Sequence, residues 1–408
     1  VLESPSTPSA FTRHQIVVWR NGIFAVFAVC GIGLASWMAR TPAVKDAIDA
    51  STAQMGQLIL GLAIGSMVGL TLSSHAIARL GTRKALLWCV TVMPLGLAVA
   101  GIAVSVLASF WLAVVGLFVF GVALGVCDVT MNLSGAVNER LLGRTVMPIF
   151  HAFFSFGTIL GAGVGAAAES LGVSIAVQSI VVGVIMMVAG FLGALATQSE
   201  ASVQPKASRD SESVPSRGAQ ERWSQWRDPR TLLIGVIVLG MAFAEGSAED
   251  WLALASVEGH GVDKPTGAMV FVIFVTAMTF GRLAGPRVLD RYGRVPVLRA
   301  SAVLAILGLL VFIAVPVLWV AIAGVALWGL GSALGFPTGM SAAADDPRTA
   351  AARVSVVATI GYLAFLVGPP VIGFLGEHFG LLNALLLVAV LIAFAGLASG
   401  AARERTNA

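Results

Sequence analysis

The chain has 408 residues, of which 57% are hydrophobic and only 11% charged, against about 25% charged in an ordinary soluble domain, so a water-soluble globule is excluded. The formal net charge of +4 is small and concentrated in the polar breaks, which argues for membrane topology and against nucleic acid as a partner. The three cysteines, Cys30, Cys89 and Cys127, lie in apolar runs without CxxC spacing, so neither a disulfide nor a metal is expected, and nothing calls for a cofactor. Residues 1–15 are polar and lack the apolar core of a signal peptide, so the first helix is expected to be retained. Crossing about 30 Å of hydrocarbon takes about 20 helical residues, and apolar runs of that kind are predicted at 16–40, 52–78, 85–105, 108–137, 146–169 and 173–197. A stretch rich in Ser, Arg, Glu and Gln, 198–230, then reads as a solvated linker. The pattern resumes at 231–257, 265–289, 296–314, 317–342, 351–375 and 380–402, leaving a tail at 403–408. The expected architecture is therefore all-α, with twelve transmembrane helices in two six-helix halves, 16–197 and 231–402.

Cytoplasmic loops collect Lys and Arg. With the N-terminus inside, Arg13, Arg20, Arg79, Arg83, Lys84, Arg140, Arg144, the basic residues of the linker, Arg282, Arg287, Arg291, Arg294, Arg299, Arg348, Arg353, Arg403 and Arg405 share one side. Only Arg40, Lys45 and Lys264 fall on the other. A miscounted helix would scramble this asymmetry downstream, so its persistence predicts an even count with both termini cytoplasmic. An internal repeat supports the division: Ala78-Arg79-Leu80-Gly81-Thr82-Arg83-Lys84 and Asp290-Arg291-Tyr292-Gly293-Arg294 each fall between the second and third spans of a half. Parallel repeats of this kind place a binding site between the halves near the bilayer midplane.

Asp290, Arg291, Gly293 and Arg294 match the D-R-x-G-R signature of the major facilitator superfamily, and the chain resembles that family over nearly all its length from Arg20. The first copy keeps Arg79, Gly81, Arg83 and Lys84 but has Ala78 where the acid belongs, which puts the loop's charge relay in doubt there. In both loops glycine permits the turn and arginines cap helix ends or pair with acids as the halves move; the plainer alternative is topogenic charge. The segments GVCDVTMN, ending at Asn132, FHAFFSFGTILGAG (150–163), AFAEGSAEDWLAL (242–254) and GYLAFLVGPPVIGFLGEHFG (361–380) look like the bacterial YbjJ-type permeases near the fucose-permease-like branch. That resemblance implies a multi-pass protein of the bacterial inner membrane, monomeric, and supplies no substrate.

An ionisable side chain inside a membrane costs about 2.5–3.5 kcal/mol on insertion scales, so each one is a functional candidate. Asp128 and Asn132 share a helix face at i, i+4, and equal distances from the following hairpin set His151 level with Asn132 and Ser155 level with Asp128. These four are expected to form a polar cluster, with Asp128 and His151 handling a proton; a purely structural network is the alternative. Glu245 lies deep in the seventh span beside Gly246 and Ser247, where local unwinding would expose backbone to substrate. Asp250 with Trp251 suits an outer gate or a plain interfacial position. Trp328 and Tyr362 are candidates for stacking on a solute, with simple packing as the alternative. Pro369 and Pro370 are expected to break the eleventh helix and serve as a flex point, or only to bend it.

With no Walker A pattern, ATP is not the direct energy source. The expected function is secondary active transport of a small organic solute by alternating access, coupled to protons through Asp128 and Glu245 with His151, the solute meeting Asp128, Asn132, Ser155, Glu245, Trp328 and Tyr362, and membrane lipid as the surrounding partner. An exporter of drugs or metabolites has the same architecture. A non-transporting membrane sensor is the alternative from another class. An enzyme is not expected, since GxSG, GxSxG and HExxH are missing from the sequence.

Overall fold

The computed structural model describes residues 11–198, 224–346 and 349–404. Expectations for 1–10, for most of the polar linker and for Arg348 and Arg405 lie outside the described residues. Among the described residues, twelve helices are long and apolar enough to cross a membrane. The first six are α1 Arg13–Met38, α2 Thr52–Leu80, α3 Thr82–Ser105, α4 Phe110–Leu142, α5 Met147–Ser170 and α6 Ile175–Ala196. The second six are α7 Pro229–His260, α8 Lys264–Tyr292, α9 Arg294–Ala314, α10 Leu318–Ala343, α11 Ala350–Phe379 and α12 Leu381–Ala402. A short helix, Thr41–Ala47, lies between α1 and α2.

Local chemistry sets where the helices start. Thr12 with Gln15 and Ser51 with Gln54 form capping boxes at α1 and α2, each satisfying orphan N–H groups reciprocally. Asp228 and Asp263 cap α7 and α8 through Thr231 and Thr266. Gly81 and Gly293 join α2 to α3 and α8 to α9 with φ of 75° and 76°. No atom lies within 4 Å of the place a Cβ would take at either glycine, so the dihedral rather than crowding demands glycine there. The repeat seen in the sequence is thus also a repeat of backbone conformation.

In the first half α2 packs on α4, α1 on α5 and α6, and α3 on α4 and α6; in the second, α7 packs on α11 and α12 and α9 on α10. Gly121 and Gly125 of α4 sit directly on the Leu62 and Ser66 carbonyls of α2, the close backbone approach that small residues allow in membranes. Large apolar side chains such as Leu160, Leu192, Phe280 and Leu397 point outward, as a lipid solvent requires. Arg40 is 4% exposed, held by Glu169 at 2.5 Å, Gln178 at 2.5 Å and the Val173 carbonyl at 2.9 Å. It ties the end of α1 to the α5–α6 connection.

Two expected irregularities are corrected. Pro369 and Pro370 lie inside a continuous α11: the missing N–H groups remove two bonds without ending the helix, because α11 is packed against α7 and α2. Helix α7 likewise runs unbroken through Gly246 and Ser247, where a Cβ on Gly246 would lie 3.1 Å from the Phe365 ring, so that glycine serves packing. The interruption falls instead in α10, between Ser332 and Gly335.

Candidate functional site

The halves meet where α2 packs on α11 and α5 packs on α8. The end at which α1 starts and α12 finishes is the terminal end; the other is the distal end. Every hydrogen bond and ion pair between described residues of the two halves lies at the distal end. There Lys45 binds Glu258 and also Thr52 Oγ1 at 2.8 Å, and Lys264 binds Asp46 at 2.5 Å. Glu377 Oε2 accepts the Thr52 and Ala53 amides at 2.7 and 3.3 Å, so α11 caps the N-terminus of α2 from across the seam. Beside it a Cβ on Gly56 would lie 2.7 Å from the Pro369 carbonyl oxygen; the two prolines belong to this contact.

Halfway along the helices, polar groups come from both halves. Arg282 Nη2 of α8 donates to Glu245 Oε1 of α7 at 2.5 Å, with side chains 31% and 13% exposed. Counting charge by loop put Arg282 on the cytoplasmic face. It sits about ten residues inside the end of α8, or about 15 Å at 1.5 Å per residue, and pairs where α7 is near its own midpoint. Glu249, one turn beyond Glu245 on the same face, and Asp250 are half-buried, and neither is hydrogen-bonded to any described residue. From the first half, Asn132 Nδ2 donates to Asp128 Oδ1 at 3.2 Å and to the Asp128 carbonyl at 2.8 Å. Tyr362 of α11 lies within electrostatic range of Asp128, and Arg282 within range of His151.

The four-residue cluster expected on α4 and α5 is not formed. No hydrogen bond joins His151 or Ser155 to Asp128 or Asn132: the His151 ring stands edge-on to Phe27 of α1, 5.2 Å between centroids, and Ser155 is buried. The cause is topological, since α5 packs on α1 and α8 rather than along α4; helices joined by a short connection need not be neighbours along their length. Trp328 is also corrected. It has no exposed surface and packs against Phe274 and Phe312 with ring centroids 5.3 and 6.4 Å away, so it is core rather than cavity wall.

At the terminal end the signature loops bond within their own halves. Arg83 donates to the Leu195 carbonyl at 2.8 Å, while Arg79 is exposed. Arg294 binds Asp345 at 2.6 Å and Ser341 at 3.1 Å, and Arg291 stacks on Tyr292. Asp290 lines a cavity of about 500 Å³ with Gly293, Arg294, Thr338 and Ser341. Glu249, Arg282 and the distal ion pairs were the functional candidates that the sequence left unmarked. Only Glu249 carried a signal there, its i, i+4 spacing from Glu245.

The chain matches the family model described as Major Facilitator Superfamily over residues 22–362 and 251–407. It is similar to an uncharacterized MFS-type transporter of Yersinia pestis, 31% identical over 367 residues that cover 90% of this chain and 91% of that protein. Among solved structures it is similar to a bacterial homolog of the human lysosomal transporter Spinster in an inward-facing, unoccupied conformation, with TM-score 0.74 and 16% identity, covering 98% and 100% of the two chains. It is also similar to the E. coli fucose:proton symporter FucP, with TM-score 0.63 and 16% identity over 96% of this chain and 100% of that one.

Proposed function

Because the chain belongs to the major facilitator superfamily, and is thus a multi-pass membrane transporter, we propose that it moves a small organic solute by alternating access with protons as the coupling ion. The observation that carries this reading is that both halves bring ionisable groups to mid-depth along the seam: Asp128, bonded to Asn132 and within electrostatic range of Tyr362 across it, and the Glu245–Arg282 pair, within range of His151 across it. Charged groups placed there are costly, which makes them candidates for a transport pathway. In this reading Asp128 and Glu245 take part in proton coupling with His151 beside them, Asn132 and Tyr362 contact solute, and Ser155 supports α5. The loops with Arg79, Gly81, Arg83, Asp290, Arg291, Gly293 and Arg294 act at the terminal end, and Asp250, Pro369 and Pro370 toward the distal one. Residues 16–197 and 231–402 are the two moving bundles, joined by 198–230.

The excess of basic residues at the terminal end supports a cytoplasmic placement of both termini, and the bacterial relatives support the inner membrane. Bonds between the halves at the distal end alone then correspond to a state closed to the outside. A fucose:proton symporter among the structural neighbours supports proton coupling and a polar, uncharged solute as the first class to try; a monomer is the working unit. The test is uptake into proteoliposomes under an imposed pH gradient, over sugars, polyols, nucleosides, amino acids and organic cations. Uphill uptake of one class, lost in Asp128→Asn and Glu245→Gln, is expected. Retention of uphill, pH-driven uptake in both variants would end the coupling assignment.

A further inference from the structure

We propose that Glu249 is the proton-binding carboxyl of the second half, and that Glu245 is the group that hands it the proton by occupying Arg282. The inference rests on the proton-coupled reading above. Glu245 and Glu249 are four residues apart on an unbroken helix, which sets their side chains on one face about 5–6 Å apart at Cβ. A single guanidinium serves both. Arg282 is committed to Glu245 at 2.5 Å, while Glu249 lies within range of Arg282, Glu245 and Asp250 and is hydrogen-bonded to no described residue. Arg282, Glu245 and Asp250 are the charges that act on it; the short helix Thr41–Ala47, also packed on α7, brings Lys45, but to Glu258, more than two turns further along.

Two carboxylates sharing one cation in a half-buried site inside the bundle do not both ionise cheaply, and the one without the ion pair carries the shared proton. The site also has an exchange step built in. When solute or closure of the terminal end draws Arg282 from Glu245 to Glu249, the proton of Glu249 passes to Glu245, the carboxylate then left without its cation, and reversal returns it. Only O–H bonds are made and broken, and the three groups hold one guanidinium, one carboxylate and one neutral carboxyl before and after. Asp128 lies on α4 in the other half, so the two halves would each carry one titrating carboxyl.

The test uses purified full-length protein in lipid and the proton itself as probe, by infrared difference spectroscopy between about pH 6 and pH 9, above the range in which exposed carboxyls titrate. In the Asp128→Asn background, which removes the carboxyl of the first half, the protein is expected to show a protonated-carboxyl stretching band that disappears when Glu249→Gln is added and shifts in frequency with Glu249→Asp. It is expected to disappear as well in Glu245→Gln, where Arg282 turns to Glu249, and to persist in Asp250→Asn. A band unchanged in both Glu249 variants, or one removed by Asp250→Asn alone, overturns the assignment. The two readings fail separately. A titrating Glu249 in a protein whose uptake ignores a pH gradient leaves the site standing and ends the coupling reading. Uphill pH-driven uptake at the wild-type rate in Glu249→Gln ends the site and leaves coupling with Asp128.

Discussion

Arg40 shows what holds a guanidinium inside a helix bundle. Its partners are a carboxylate, a side-chain amide and a main-chain carbonyl, and with 4% exposure water cannot replace them. Removing one member of such a pair strands the other, at about 3–5 kcal/mol. Arg40→Ala is expected to lower the detergent-solubilised protein's stability by about 3 kcal/mol in thermal unfolding, and Arg40→Lys by less, since an ammonium keeps the Glu169 pair but not the planar fork. A loss under about 1 kcal/mol would mean that solvent reaches the site. At this scale the sequence revealed what one helix can show by itself: Asp128 and Asn132 met because their spacing is four. It misplaced Arg282, whose partner is on another helix, and it paired His151 with Asn132 by assuming that consecutive helices lie side by side. Contacts between helices depend on packing, which spacing along one chain segment does not encode.

Helix starts and glycine contacts make the next scale testable. Asp228 caps α7. Partial burial acts to raise its carboxyl, but bonds from the Thr231 hydroxyl at 2.6 Å and N–H at 3.0 Å, with Arg353 at 3.3 Å, outweigh that and hold it below the ordinary carboxylate range. A depressed folded-state value means that its contribution is complete above the unfolded value of about 3.9 and is lost as pH falls through the folded one. Thermal unfolding followed from pH 7 to about pH 3 should therefore show an acid decline that is shallower in Asp228→Asn, starting from lower stability at neutral pH; parallel curves would contradict it. Gly121 and Gly163 give a second contrast. Gly121 lies on the α2 backbone whereas nothing is within 4 Å of a Cβ at Gly163, so Gly121→Leu is expected to abolish a monodisperse elution peak or cost more than about 3 kcal/mol, and Gly163→Leu to cost under about 0.5 kcal/mol. Equal effects would mean that α2 and α4 are not locked as described. The twelve spans were legible because an apolar run of membrane length has a single outcome in lipid. The break in α10 and the continuity of α11 were not, since both depend on neighbours that supply or withhold backbone partners.

For the whole molecule, the question is what holds the halves in the state seen. The Lys45–Glu258 and Lys264–Asp46 pairs are partly exposed, and such pairs are worth about 0–1 kcal/mol each. The Glu377 carboxylate is the more directional element: it takes two amides of α2's first turn at the favourable end of the helix dipole, worth about 0.3–1 kcal/mol for an exposed group. Separating the distal ends costs α2 that cap, leaving Ser51 and Gln54 as its own. Glu377→Gln combined with Lys45→Ala should remove about 1 kcal/mol of preference for the distally closed state, a factor of about 5 in the ratio of states. Spin labels on Leu171→Cys and Asn383→Cys, one on each half at the distal end and both on exposed side chains, read this by pulsed electron paramagnetic resonance; the native cysteines are fully buried and do not compete for label. The expected outcome is a second, longer distance population that is minor in the parent and substantial in the double variant. A distribution unchanged by both substitutions would mean that the apolar α2–α11 contact at Gly56 and Pro369 closes this end unaided, and that the charges there only follow it.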